Sequence, residues 1–191
     1  MSRSDHEALD DLVSEHLASL QRLAVRLTGS VGAAEEIVQE ALLRIVRSWS
    51  NFRRESSFRT WAIRILLNVF HDWLTNRREA EPLTDCLDVR QADPLECAMA
   101  EELGRYIAKR VSALPPRQRE VLIFLAYEGL SPEDTARLLD MQLANVYATL
   151  YQARQRLRVE LAPFLMNSAD EHFVVATQQP GSLETRSDKR I

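Results

Sequence analysis

The most regular hydrophobic pattern of the chain lies between Asn51 and Arg78. Its first seven residues are mostly polar, and apolar residues then recur at steps of three and four. These apolar residues are Phe58, Trp61, Ala62, Ile65, Leu66, Val69, Phe70, Trp73 and Leu74. The positions between them hold Thr60, Arg64, Asn68 and His71. This spacing predicts a short loop followed by one long amphipathic helix, with His71 on its surface.

Two further helices are predicted before this stretch. The first runs from about Asp5 to Thr28 and ends at Gly29, and the second runs from about Ala33 to Trp49. The buried face of the second helix is predicted to hold Ile37, Val38, Ala41, Leu42, Ile45, Val46 and Trp49. Residues 1–78 show no alternation typical of strands, so they predict a small all-α domain.

The second half of the chain contains a helix-turn-helix pattern. After two prolines at 115–116, a helix extends to Gly129. Residues 131–134, Ser-Pro-Glu-Asp, are typical of a helix start, with a capping serine, a proline in the first turn and an acid at the third position. A short helix, a turn of about three residues and a longer helix over residues 143–161 follow. That arrangement places a recognition helix in the DNA major groove, although any three-helix bundle has a similar pattern.

These elements divide the 191 residues into two small helical domains, and the fold class is predicted to be all-α. Residues 1–78 form the first domain, and residues 94–162, where helical periodicity resumes at a proline, form the second. Residues 79–93 are acidic and lack periodicity, which predicts a flexible linker. Residues 163–191 lose the hydrophobic pattern and predict a mostly disordered tail.

The net charge of −4 conceals an uneven distribution of charge. Residues 44–78 carry a net charge of +6 and residues 105–162 one of +3, whereas residues 79–104 between them carry −7. Two basic blocks separated by an acidic one predict two surfaces for a polyanion. Nearly all of the cations are arginines, whose planar side chains bind phosphates and bases with two hydrogen bonds.

Several functional classes are disfavoured by the sequence. The longest apolar run, Val121 to Tyr127, is far shorter than a membrane span, and the acidic N-terminal residues do not form a secretory signal. No membrane insertion and a cytoplasmic location are therefore expected. Cys86 and Cys97 have no metal-ligand spacing and are expected to be free thiols. With scattered histidines and no glycine-rich phosphate loop, the sequence predicts no enzyme activity, no metal and no cofactor.

Aromatic and cationic groups cluster at the entry to the long helix, where Phe52, Arg53, Arg54, Ser56 and Phe58 lie close together in sequence. Arginine attracts phosphate and aromatic rings stack on unpaired bases, so this combination suits DNA that is held open. A core helix with a solvated arginine face is an equally good interpretation of this stretch alone.

The two basic blocks together resemble the extracytoplasmic-function (ECF) type of the bacterial sigma-70 family. In the first domain the resemblance rests on residues 22–49, RLAVRLTGSVGAAEEIVQEALLRIVRSW, followed from residue 52 by F-R-x-x-S-S-F-R-T-W-x-I-R-I-x-x-N. In the second it rests on residues 113–141, ALPPRQREVLIFLAYEGLSPEDTARLLDM, followed from residue 146 by V-x-x-x-L-x-x-A-R-x-R-L. Both motifs in this order are highly specific, and they cover about residues 10–162.

The resemblance implies an RNA polymerase sigma factor that binds core RNA polymerase, recognises promoter DNA with both domains and promotes strand opening. It also implies an anti-sigma partner. Matching positions assign polymerase binding to Glu36, Gln39, Glu40, Arg44 and Arg47. They assign binding of the minus-ten element to Asn51, Phe52, Arg53, Arg54, Ser56, Phe58, Trp61, Arg64 and Asn68. They assign binding of the minus-thirty-five element to Arg117, Asn145, Tyr147, Ala148, Tyr151, Gln152 and Arg154.

The predicted recognition helix departs from the family pattern. Tyr147, Thr149 and Gln152 stand where the family commonly has Lys or Arg. Fewer cations mean fewer phosphate contacts, so the second domain alone is expected to bind DNA weakly and with a shallow salt dependence. Base preference is expected to come from Asn145 and Gln152, whose amides can pair with adenine through two hydrogen bonds. The alternative is that Tyr147 and Tyr151 simply pack against the neighbouring helix.

Two other functions remain open at this point. A helix-turn-helix regulator that acts without polymerase is the first alternative, and a protein-interaction module that no longer binds DNA is the second. The first domain discriminates between them and a sigma factor, because a plain regulator has no need for aromatic and arginine residues beside a base-sized loop.

Overall fold

The computed structural model describes the backbone of residues 3–77 and 94–176, and the side chains of residues 7–76 and 103–162. These ranges contain only helices and the turns that join them. The helices are α1 Arg3–Thr28, α2 Val31–Ser48, α3 Phe58–Arg77, α4 Pro94–Ser112, α5 Pro116–Ala126, α6 Pro132–Leu139 and α7 Leu143–Ala176. The all-α prediction is confirmed for the described residues. The predicted linker and the two cysteine side chains lie outside them.

Helices α1, α2 and α3 pack around one apolar core. Leu23, Leu27, Ile37 and Leu66 are almost fully buried in it. α2 begins two residues earlier than predicted because Ser30 caps it, its Oγ accepting a hydrogen bond from the Ala33 amide at 3.4 Å. A serine cap satisfies an amide that has no partner within the helix.

Helices α4 to α7 form the second unit, and its helix-turn-helix is present as predicted. Ser131 caps α6, accepting from the Asp134 amide at 3.0 Å. α6 ends at Asp140, whose φ of 51° reverses the chain before α7 begins. Val146 and Ala153 are fully buried, so the same side of α7 faces its neighbours over these two turns.

The last helix is longer than the sequence suggests. The fading pattern after Pro163 predicts an end near residue 161 and a disordered tail beyond it, but α7 continues to Ala176. A single proline removes one backbone hydrogen bond and can bend a helix without ending it. Residues 177–191 lie outside the described structure.

The two units pack directly against each other, and charged side chains cross the boundary. Glu128, just beyond α5, receives Arg26 of α1 at 3.2 Å and also Arg59 of α3. Arg119 of α5 donates to the carbonyl oxygen of Leu27 at the end of α1. Burial of this guanidinium lowers the pKa of Arg119.

His71 keeps 37% of its side chain exposed, in line with its predicted position on the helix surface, but it also contacts the second domain. Its Nε2 lies 2.7 Å from the Glu120 carboxylate on α5, and that carboxylate is completely buried. The sequence could not show this contact, because it depends on how α5 docks against the polar side of α3.

Candidate nucleic-acid interface

The loop between α2 and α3 is fixed at both ends by local hydrogen bonds. A single 3-10 turn, Trp49–Asn51, leads into it, and Arg54 adopts a left-handed conformation with φ of 57° in its middle. Ser57 then caps α3, its Oγ accepting from the Thr60 amide at 3.2 Å. The arginines of the loop are therefore presented on an ordered turn.

Aromatic rings pack against one another beneath this loop. Phe52 lies 4.8 Å from Trp61 and 5.5 Å from Trp49 between ring centroids, within the range of favourable aromatic pairs. Phe52 and Trp61 are both half-buried, so each keeps part of its ring accessible. Phe58 differs from the prediction, because it is 5% exposed and stacks on His16. It supports the cluster from the core and has no surface to offer a base.

A cavity of about 520 Å³ opens beside the loop. That volume is in the range of sites that hold small molecules or single groups of a polymer. Six of the predicted minus-ten residues are exposed, namely Asn51, Arg53, Arg54, Ser56, Arg64 and Asn68. All of these except Asn68, which lies one helical turn farther along α3, line the cavity.

Arg59 is a cavity residue that the sequence analysis did not assign. It lines the cavity and at the same time binds Glu128 of the second domain. Asp134, Arg137 and Leu138 of α6 line the same cavity. The loop of the first domain therefore faces the helix-turn-helix of the second domain in this arrangement. No signal in the sequence predicted that contact, since it depends on how the domains dock.

The exposed face of α7 carries the predicted recognition residues. Tyr147 is 52% and Tyr151 65% exposed, which disagrees with the alternative that these rings only pack against a neighbouring helix. Asn145, Ala148, Gln152 and Arg154 are exposed with them. Arg117 on α5 lies apart and binds Glu120 at 3.0 Å.

The predicted polymerase face on α2 divides into two parts. Glu36, Gln39 and Arg47 are exposed, whereas Arg44 bridges Glu40 at 2.7 Å and Asp72 of α3 at 2.8 Å. The hydrogen bonds that Arg44 donates to Glu40, and then to Asp72, raise the pKa of Arg44. The contact with Asp72 thus joins α2 to α3, whereas the pair with Glu40 lies within α2.

Two apolar residues on α2 lie on the exposed surface. Leu43 is 51% and Val46 50% exposed, so the prediction that Val46 is buried was wrong. Both fall one or two turns after Gln39 on the outward side of the helix, a spacing that was readable from the sequence. They add an apolar patch between the polar residues of this face.

Other kinds of site find no support in the described residues. Their side chains contain no group of three or more His, Cys, Asp or Glu arranged to hold a metal ion. Within residues 3–77 and 94–176, no helix combines the length and the apolar content needed to cross a membrane.

Comparison with known proteins identifies both halves of the chain. A model of Sigma-70 region 2 matches residues 12–80, and a model of Sigma-70, region 4 matches residues 104–157. The chain is 32% identical over 158 residues to an ECF RNA polymerase sigma factor, SigE, of Mycolicibacterium smegmatis, covering 80% of this chain and 61% of that protein. It is 27% identical to the RNA polymerase sigma-H factor of Pseudomonas aeruginosa, covering 86% of this chain and 92% of the relative.

Solved structures agree on the fold. The sigma factor RpoE of Bartonella quintana, in complex with the anti-sigma factor NepR, aligns with a TM-score of 0.69 and 22% identity over 82% of this chain and 98% of its own. CnrH, in complex with the cytosolic domain of CnrY, aligns with a TM-score of 0.61 and 23% identity, covering 83% of this chain and 90% of the CnrH chain. Because both domains match in the order that the sequence motifs predict, the chain belongs to the sigma-70 family of RNA polymerase sigma factors, as a member of the ECF type.

Proposed function

We propose that this chain binds core RNA polymerase, recognises promoter DNA with both domains and promotes strand opening, with no enzymatic activity of its own. The observation that carries the proposal is the pairing of a cavity lined by an arginine-bearing loop and aromatic rings with an exposed helix-turn-helix face. A regulator that only binds duplex DNA needs the helix-turn-helix face but not the cavity. A role as a polymerase subunit also entails a cytoplasmic location.

In the first domain, the cavity beside residues 51–57 would receive a base that has left the minus-ten duplex. Flipping a base costs a few kcal/mol of stacking and pairing, which aromatic and hydrogen-bonding groups in a pocket offset. Phe52 and Trp61 supply the aromatic surface, and Asn51 and Ser56 supply the hydrogen bonds. Arg53, Arg54 and Arg64 would neutralise the phosphates of the strand, with Asn68 at the edge of the duplex.

In the second domain, α7 would enter the major groove at the minus-thirty-five element. Asn145 and Gln152 would contact bases, with Tyr147, Ala148 and Tyr151 between them. Arg117 and Arg154 would contact phosphates, which position the helix without reading the sequence.

The outward face of α2 would bind core polymerase. Glu36, Gln39 and Arg47 form its polar part, and Leu43 and Val46 form an apolar centre of the kind that contributes most to protein interfaces. Glu40 pairs with Arg44 within α2, and Arg44 would support the face through its contact with Asp72 of α3.

An anti-sigma factor is the expected inhibitory partner. The two solved relatives above are described in complexes with NepR and with the cytosolic domain of CnrY. Both relatives share the two-domain fold, so a partner of this kind would contact one or both domains here.

The test is a run-off transcription assay on a library of random promoter fragments, with core bacterial polymerase in the presence and absence of the protein. Protein-dependent transcripts, enriched for two upstream elements, are the expected result. Absence of transcripts together with failure to co-migrate with core polymerase would refute the proposal and favour a polymerase-independent regulator.

A further inference from the structure

A buried glutamine lies behind the recognition face and has no role in the function proposed so far. Gln118, in the first turn of α5, is only 8% exposed. Its Nε2 donates a hydrogen bond to Oε1 of Gln152 on α7, at 3.2 Å. Its own Oε1 is buried and has no hydrogen-bond partner among the described residues.

Packing does not account for an amide at this position. A buried polar atom without a partner loses its hydration and destabilises the fold, whereas an apolar side chain of similar length would not. Among the described residues, the hydrogen bond to Gln152 is the one interaction of this amide that an apolar residue would lack. The reverse orientation of the Gln118 amide would bury two unpaired N–H groups in place of one oxygen.

This hydrogen bond limits the freedom of an exposed side chain. Gln152 directly precedes the fully buried Ala153, so it lies at the boundary between the packed and the open side of α7. A free glutamine has several rotamers and loses that freedom on binding. The contact with Gln118 fixes which end of the Gln152 amide is the oxygen, and it uses only one of the two lone pairs of that oxygen.

The remaining groups of Gln152 match one base. Adenine presents an acceptor, N7, and a donor, the N6 amino group, on its major-groove edge. The free N–H groups of Gln152 can donate to N7 while the second lone pair of Oε1 accepts from N6. Because the recognition helix has few cations for phosphate contacts, this base contact contributes a larger share of its affinity for DNA.

We propose that Gln118 is a positioning residue for promoter readout, which holds the Gln152 amide ready to form two hydrogen bonds with an adenine of the minus-thirty-five element. The inference rests on the function proposed above, since it needs α7 to lie in the major groove. It adds a residue that need not touch DNA to those that determine sequence preference.

The experiment selects active promoters from a library randomised upstream, with core polymerase and the full-length protein. Gln152→Ala first locates the base position that the amide reads. At that position the wild-type protein should prefer adenine about fivefold or more, as expected for two hydrogen bonds to one base. In Gln118→Met the preference should fall below about twofold, while preferences in the minus-ten element stay unchanged.

Two variants distinguish positioning from a structural role. Gln118→Lys keeps a donor to Oε1 and should retain the adenine preference, whereas Gln118→Glu offers only acceptors, draws the Gln152 nitrogen inward and should lose it. Gln155→Met, on the same helix but outside the predicted DNA face, serves as the control and should leave every preference unchanged.

Three outcomes would overturn the inference. The first is an unchanged adenine preference in Gln118→Met, and the second is equal loss in the Met and Lys variants with a lowered melting temperature. The third is that Gln152→Ala changes no base position. Failure of the wild-type protein to support any transcription is a different result, which refutes the proposed function and the inference with it.

Discussion

Removing the Glu128 carboxylate is expected to shift the two domains toward an open arrangement that frees the DNA-binding loop. The cavity beside that loop is lined partly by α6, so the second domain lies directly against the DNA-binding loop of the first. Promoter elements centred 25 base pairs apart are separated by about 85 Å along the duplex, at about 3.4 Å per base pair. The domains must therefore move apart to bind both elements, and Glu128 is the residue that joins arginines of two first-domain helices to the second domain.

The size of the effect follows from the exposure of the three side chains. The Glu128 side chain is 6% exposed, whereas those of Arg26 and Arg59 are 33% and 34% exposed. Breaking a fully buried ion pair costs about 3–5 kcal/mol. Because both arginines remain in partial contact with water, we expect about 1–2 kcal/mol for Glu128→Ala. That free energy shifts the equilibrium between closed and open forms by about 5- to 30-fold.

Two measurements test this expectation. The radius of gyration from small-angle X-ray scattering should increase in Glu128→Ala. Affinity for a single-stranded minus-ten oligonucleotide should rise several-fold, because Arg59 is released from Glu128 and α6 no longer lies against the loop. Glu133→Ala, which removes an exposed carboxylate at the start of α6, should change neither quantity. An unchanged radius and unchanged affinity in Glu128→Ala, with only a lower melting temperature, would show that Glu128 stabilises the fold without controlling access to the loop.

Three further predictions concern the opening of promoter DNA, the contact between the two domains and the salt dependence of DNA binding. Trp61→Ala should impair opening of duplex promoters more than binding of pre-opened DNA, because it removes the ring that packs on Phe52; equal losses on both templates would mean that Trp61 is only structural. Gly29→Ala should lower the melting temperature, because φ is 72° there and an added Cβ would lie 2.5 Å from Ser112 Cβ; the strain alone is about 1–2 kcal/mol. The control Gly32→Ala meets no atom within 4 Å and lies in the first turn of α2, so it should be neutral or stabilising. Residues 94–162 alone should bind duplex DNA with a log–log salt slope near about −2, the value for two phosphate contacts, and a slope steeper than about −4 would contradict this.

The sequence by itself determined the helices and most of their order along the chain. Helix periodicity and capping are local, so Ser131 and the three-residue turn before α7 were correctly predicted from a few neighbouring residues. The family motifs are also nearly contiguous in sequence, which is why the sequence alone indicates the family of both domains. Two predictions from the sequence were wrong. The end of α7 was predicted too early, because Pro163 and the fading pattern after it suggested a helix end. Val46 was predicted to be buried, because the apolar face of α2 was taken to be broader than it is.

The tertiary structure alone decided which polar residues meet across the domains. Arg26 and Glu128 are 102 positions apart in sequence, and His71 and Glu120 are 49 apart. Periodicity can show that a helix has a polar side, but only docking decides whether water or another domain covers it. The same holds for Phe58, which the sequence placed both on the apolar face of α3 and among the minus-ten residues, and which the fold buries. It holds also for Gln118, whose amide acquires a role only because α5 packs beside Gln152. Local rules determine the helices, whereas long-range packing determines which of their faces remain free to bind.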